Sequence, residues 1–158
     1  MAWHKAYPHI PLRFFWDRKN ETEVCHIDDT LSFYPLDDHA FLKQMSGCRA
    51  YASTAGFESI CEAIYMGKPV LMVPAHIEQE CNAYDAMCAG AGIISTSFSL
   101  DRLLEFSSTF HPNRTFIFWA HNVNLLIEHL IREPEPTPQV LIYRENTTTF
   151  QALQTGFL

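Results

Sequence analysis

From Arg49 to Ile131 short apolar runs alternate with segments of helical period, and that alternation leaves few folds open to the chain. The expected strands are 49–53, 69–74 and 92–95, and the expected helices 56–66, 79–89, 100–106 and 115–131. Strands separated by helices form a parallel sheet, because a parallel connection needs a crossover and the crossover helices cover the faces. The expected class is α/β, a Rossmann-like parallel sheet with helices on both faces. The helix at 56–66 is the best determined: Phe57, Ile60, Cys61 and Ile64 recur at i, i+3, i+4 and i+7 as one apolar stripe, and Gly67 closes it.

Upstream, the aromatic run Ile10-Pro-Leu-Arg-Phe-Phe-Trp16 suits a buried strand and ends in the polar turn Asp17-Arg-Lys-Asn20, with almost no chain before it. A second apolar stretch, 31–36, leads to Asp37-Asp38, acidic residues that favour the start of a helix over 38–46. Downstream, Glu133-Pro-Glu-Pro-Thr-Pro138 cannot continue a helix and reads as a stiff linker. Residues 1–133 are therefore expected to form one domain, followed at 134–158 by a Pro-rich linker and a C-terminal segment.

Composition narrows the partners. With 47% apolar and 18% charged residues the chain is built for a packed core. A formal charge of −7 and the lack of Lys/Arg clusters argue against nucleic acid as a partner. No apolar window approaches a membrane span, and no basic segment followed by an apolar one marks a signal peptide, so a cytoplasmic location is expected. The three glycosylation-type triplets at Asn20, Asn113 and Asn146 then carry no weight. Five cysteines without a C-x-x-C pair suggest reduced, mostly buried thiols and no metal site.

The chemistry sits in Ser53-Thr-Ala-Gly-Phe-Glu-Ser59 and in the loop after the next strand. Ligands of open α/β sheets bind outside the carboxyl ends of the strands, where a helix N-terminus offers amide donors and a positive dipole end to a diphosphate. Gly56 would allow close approach of a phosphate and the Ser59 hydroxyl would add a donor. Glu62, one turn on and off the apolar stripe, could accept both hydroxyls of a ribose. Glu78 and Gln79 are suited to sugar hydroxyls, and Asn82 either joins them or bridges the turn. Each has a plainer role: turn glycines often serve backbone conformation alone, and exposed Glu and Gln are commonly just solvated.

In order and spacing these residues resemble the C-terminal, donor-binding domain of GT-B glycosyltransferases, the group that includes UDP-glycosyltransferases and the lipid-linked N-acetylglucosaminyltransferase of peptidoglycan synthesis. The likeness is carried by Ala55-Gly56, Ser59, Glu62-Ala63, Gly67-Lys-Pro69, Pro74, Glu78-Gln79 and Asn82-Ala83. It implies a nucleotide-sugar donor, with UDP favoured, and no separate cofactor or metal. The diphosphate would lie at Thr54, Ala55, Gly56 and Ser59, the ribose at Glu62, and the sugar at Glu78, Gln79 and Asn82. Thr54 stands where many members carry a phosphate-contacting His, and Glu58 where they carry Asn or a small residue. A carboxylate aimed at a diphosphate would repel it.

The resemblance also implies a partner, since GT-B enzymes place the acceptor site and catalytic base largely in an N-terminal domain. The chain is expected to bind donor and to transfer little without that domain or an equivalent subunit, and its catalytic residues stay unassigned. The competing expectations are a sugar-nucleotide epimerase of the same architecture and a non-catalytic sugar-nucleotide-binding or interaction domain.

Overall fold

The computed structural model describes residues 2–18, 22–132, 139–142 and 151–154. Two compact units are present, Met1–Asn113 and Arg114–Leu158. The first contains helix α1 (Ala2–Ala6), strands β1 (Leu12–Trp16), β2 (Cys25–His26) and β3 (Leu31–Pro35), helix α2 (Asp38–Gly47), β4 (Tyr51–Ser53), α3 (Phe57–Tyr65), β5 (Val70–Met72), α4 (Ile77–Cys88), β6 (Gly92–Ile94) and α5 (Leu100–Thr109). In the second are α6 (Thr115–Arg132) and the antiparallel pair β7 (Gln139–Ile142) and β8 (Gln151–Gln154). Asn20, Asn146 and the proline run 133–138 lie outside the described residues.

The fold is α/β, with parallel strands flanked by helices. β4, β5 and β6 form a parallel sheet in register, Tyr51 beside Val70 and Val70 beside Gly92. β1 and β3 pair in parallel from Leu12 beside Leu31 to Trp16 beside Pro35, and β2 adds an antiparallel edge. The strands thus fall into separate three-stranded sheets, β1-β3-β2 and β4-β5-β6, rather than one. α1 and β2 were not expected, because five and two residues are too short to set a period.

The core lies on β5. Val70, Leu71 and Met72 are fully buried, as a strand paired on both sides and covered on both faces must be. Met45, Ile60, Ala63, Ala83 and Ala86 pack with Val70 and Met72, and the alanines let α3 and α4 come close to the sheet. Of the expected stripe on α3, Ile60 is buried and Ile64 half-buried, while Phe57, on the first turn, is exposed. α2 begins where the acidic pair placed it: the Asp37 carboxylate accepts from the Ala40 amide at 2.6 Å. Lys68 Nζ donates to Ser46 O and Cys48 O at the other end of that helix, at 2.7 and 2.9 Å.

The cysteines are free, but they are not mostly buried: Cys25, Cys81 and Cys88 are exposed, and Cys48 and Cys61 are half-buried. Cys81 and Cys88, seven positions apart, lie on the outer side of α4, opposite the buried Ala83 and Ala86. Composition cannot see which face of a helix a residue takes. Among the described residues no helix is long and apolar enough to cross a membrane.

Gly92 sets the spacing of β5 and β6. A Cβ at Gly92 would stand 2.7 Å from Val70 O and 2.7 Å from Met72 Cε, and the first of these is backbone in the ladder itself. Gly92→Ala is therefore expected to destabilise the fold by about 1–3 kcal/mol, the usual range for overpacking. Denaturant unfolding checks this: the midpoint should fall with the slope unchanged.

Candidate functional site

β4 ends at Ser53, and three residues, 54–56, separate it from the start of α3 at Phe57. Ser53 Oγ accepts from the Ala55 amide at 2.9 Å, tightening the turn. Ala55 carries the unusual conformation, φ 66°, and is fully buried. Left-handed backbone costs an alanine roughly 1–2 kcal/mol, so the turn is held by its surroundings rather than by preference.

Gly56 behaves differently. It is the N-cap of α3 with an ordinary φ of −61°, and a Cβ placed on it would meet nothing nearer than Ser59 Oγ at 3.8 Å. Neither conformation nor crowding within the chain demands glycine there. As N-cap it also brings no side chain to the first amides of α3, which leaves them to another acceptor. Ser59 Oγ donates to Gly56 O at 3.1 Å and sits on the same turn.

The second loop follows β5 and leads through His76 into α4. Gln79 bridges the loops: its Oε1 accepts from the Ala75 amide at 2.9 Å and its Nε2 donates to Thr54 Oγ1 at 3.3 Å. Asn82 makes a second tie, donating through Nδ2 to Ala55 O at 3.1 Å and to Glu78 Oε1 at 3.4 Å. Thr54, Ala55, Glu78, Gln79 and Asn82 are thereby brought into one hydrogen-bonded group, with Gly56 and Ser59 adjoining it. Asn82 bridges the turn, one of the two roles the sequence left open. The tie between Thr54 and Gln79 has no local signal, since the two residues are far apart in the chain and close only through the pairing of β4 with β5.

Glu62 is set apart from that group. One turn beyond Glu58 on α3, it is half-buried, and its carboxyl is raised above the ordinary range by desolvation first and then by the charges of Glu58 and Asp38. Asp38, in the first turn of α2, was not expected near the site. The exposed Glu58 stands on the Glu62 side of α3. Among the described residues no cluster of His, Cys, Asp or Glu is arranged to hold a metal ion.

A helix start capped by glycine thus lies at the carboxyl end of a parallel strand, beside a second loop fastened to it. That is where ligands of doubly wound sheets bind.

Comparison with solved structures agrees on the architecture. The chain is similar to the glycotransferase of kitacinnamycin, with a TM-score of 0.60 and 17% sequence identity over 83% of this chain and 37% of that one. At that identity the likeness speaks to the fold, and the chain spans well under half the length of this neighbour. No curated protein matches it. Residues 10–110 match the family described as glycosyl transferase family 1, a stretch that covers most of the chain and includes both loops of the site. The chain belongs to glycosyl transferase family 1.

Proposed function

We propose that the chain is the C-terminal, nucleotide-sugar-binding part of a cytoplasmic glycosyltransferase of the GT-B type, with residues 1–133 as the donor domain. It transfers a hexose from a UDP-linked donor to an acceptor hydroxyl, and an N-terminal acceptor domain or a partner subunit completes its active site. The observation that carries this reading is Gly56: a glycine that the chain's own geometry does not require, at a helix start whose first amides receive no side-chain cap.

In this reading the amides of Phe57, Glu58 and Ser59 receive the diphosphate, and Ala55 and Thr54 shape the approach. Fixed dipoles at that position favour the charge that grows on the departing nucleoside diphosphate, so the step is electrostatic and needs no metal of its own. Glu62 takes the ribose hydroxyls. Desolvation, and then the charges of Glu58 and Asp38, favour its protonation, and a hydrogen-bonded diol would offset part of that cost. Glu78, exposed at the start of α4, and Gln79 meet the sugar, while Asn82 holds the loop in place.

Thermal unfolding with UDP, GDP, dTDP and their sugar conjugates tests the proposal. UDP at a hundred times its dissociation constant should add about 2.7 kcal/mol of stability, a shift of several degrees for a domain of this size. Gly56→Ala should leave the ligand-free melting temperature within a degree or so, because φ and space both admit alanine, yet cut the nucleotide shift by more than half. A full shift in Gly56→Ala, or none with any nucleotide in the intact two-domain protein, would overturn the reading.

Glu62 gives a second test in the absence of ligand. A carboxyl whose folded pKa is raised stabilises the fold below its unfolded pKa and loses that contribution as pH rises through the folded one. Glu62→Gln is therefore expected to be more stable than the parent near pH 7 and equal to it near about pH 3, where both side chains are neutral. Denaturation midpoints across that range check the sign.

A further inference from the structure

The two side-chain amides of the site end on different kinds of partner. Asn82 Nδ2 donates to Ala55 O and to Glu78 Oε1, a carbonyl and a carboxylate, which accept a hydrogen and have none of their own to give. Gln79 Nε2 donates to Thr54 Oγ1 at 3.3 Å, and a hydroxyl that accepts still has a hydrogen to direct. The orientation of the Gln79 amide follows from its other contact. The Ala75 N–H can only donate, so the Gln79 oxygen must face it, at 2.9 Å, and the nitrogen is left to face Thr54.

The two hydroxyls expected at the diphosphate therefore differ in what they can offer. The Ser59 hydrogen is spent on its own turn, donated to Gly56 O at 3.1 Å. The Thr54 hydrogen cannot point at Gln79, whose N–H occupies that side of the oxygen, and among the described residues it has no acceptor. Thr54 is exposed and stands two residues before Gly56, the N-cap of α3. Gln79 is half-buried and fastened to the Ala75 backbone, so its bond limits the directions open to a hydroxyl that would otherwise turn freely in water. The amide nitrogen of Gln79 carries a second hydrogen, which is left for a sugar hydroxyl.

We propose that Gln79 is a positioning residue for the diphosphate: through its bond to Thr54 Oγ1 it directs the Thr54 hydroxyl to donate to a phosphate oxygen held at the first amides of α3. The inference rests on the nucleotide-sugar reading above and adds to what Gln79 does within it. A residue that only met the sugar would matter to a sugar conjugate and not to the bare nucleoside diphosphate. A positioning residue matters to both, because the diphosphate is common to them. In the chain from Gln79 N–H to Thr54 O–H to phosphate each donor polarises the next toward the negative charge, which strengthens the last bond. One amide thus serves both ends of the donor, and loss of Gln79 is felt at an end it does not touch.

Isothermal titration calorimetry of the 158-residue chain with UDP, which carries no sugar, tests this. Thr54→Val should weaken UDP binding about tenfold or more, the usual loss for a hydrogen bond to a charged group. Gln79→Ala should reproduce most of that loss. The double variant should bind no more weakly than Thr54→Val, because both changes remove the same bond. Thr54→Ser, which keeps the hydroxyl, should recover most of the binding lost in Thr54→Val. Thr54→Val leaves the bond between Gln79 and Ala75 in place, so its effect is not that of a loosened loop. The proposal is overturned if either single variant binds UDP as the parent does. It is also overturned if the Gln79→Ala loss persists in full on the Thr54→Val background, which would make Gln79 a brace for the loop alone. A parent chain that binds no UDP overturns the nucleotide reading and this inference with it, whereas a binding parent with unaffected variants overturns this inference alone.

Discussion

Two side-chain amides hold the working end of this molecule together. Gln79 and Asn82, on the first turns of α4, reach across to Thr54 Oγ1 and Ala55 O in the turn that comes after β4. Beneath them the two loops are joined by strands of three residues each, β4 and β5, and by the buried cluster that Ala55 shares with Ala83 and Ala86 of α4. The turn they grip contains the left-handed Ala55, a conformation that persists only when neighbours fix it. Their grip in turn places Gly56 and the first amides of α3 at the carboxyl end of the parallel sheet.

That end of the fold is arranged at some cost to stability. Ala55 is strained, Glu62 lies among like charges from Glu58 and Asp38, and Phe57 and Ile77 expose 64% and 73% of their surface where α3 and α4 begin. The compensation lies below, in β5 and the alanine-faced helices packed on it. The concentration of strain, repulsion and exposed apolar surface at one end is the pattern expected where a surface is kept for a ligand or a partner chain.

How much of this could be read from the residues depended on whether the cause was local. α2 starts beside Asp37 and α3 stops before Gly67, whose φ of 64° is the helix-ending conformation its position suggested, because caps act within a turn. The strand and helix alternation pointed to the α/β class, and the order and spacing of residues 55–83 to the family resemblance, for the same reason: both are patterns along the chain. The division into two sheets was not legible, since pairing depends on which strands become neighbours and β1 offers the same aromatic run whether or not a strand lies beside it. Nor was the bond from Gln79 to Thr54, or the approach of Asp38 to Glu62. The positive φ falls on Ala55 rather than on the adjacent glycine, the residue that composition alone would have chosen.

The central claim is that the first turn of α3 and the loop tied to it form a nucleoside diphosphate site. Amide chemical-shift mapping during titration with UDP tests that claim most directly, because each backbone N–H reports its own surroundings. Saturable shifts confined to the amides of residues 55–59 and 75–79, with the first-turn amides moving most, are the predicted result. Saturable shifts centred elsewhere on the chain, with residues 55–59 unmoved, would contradict it.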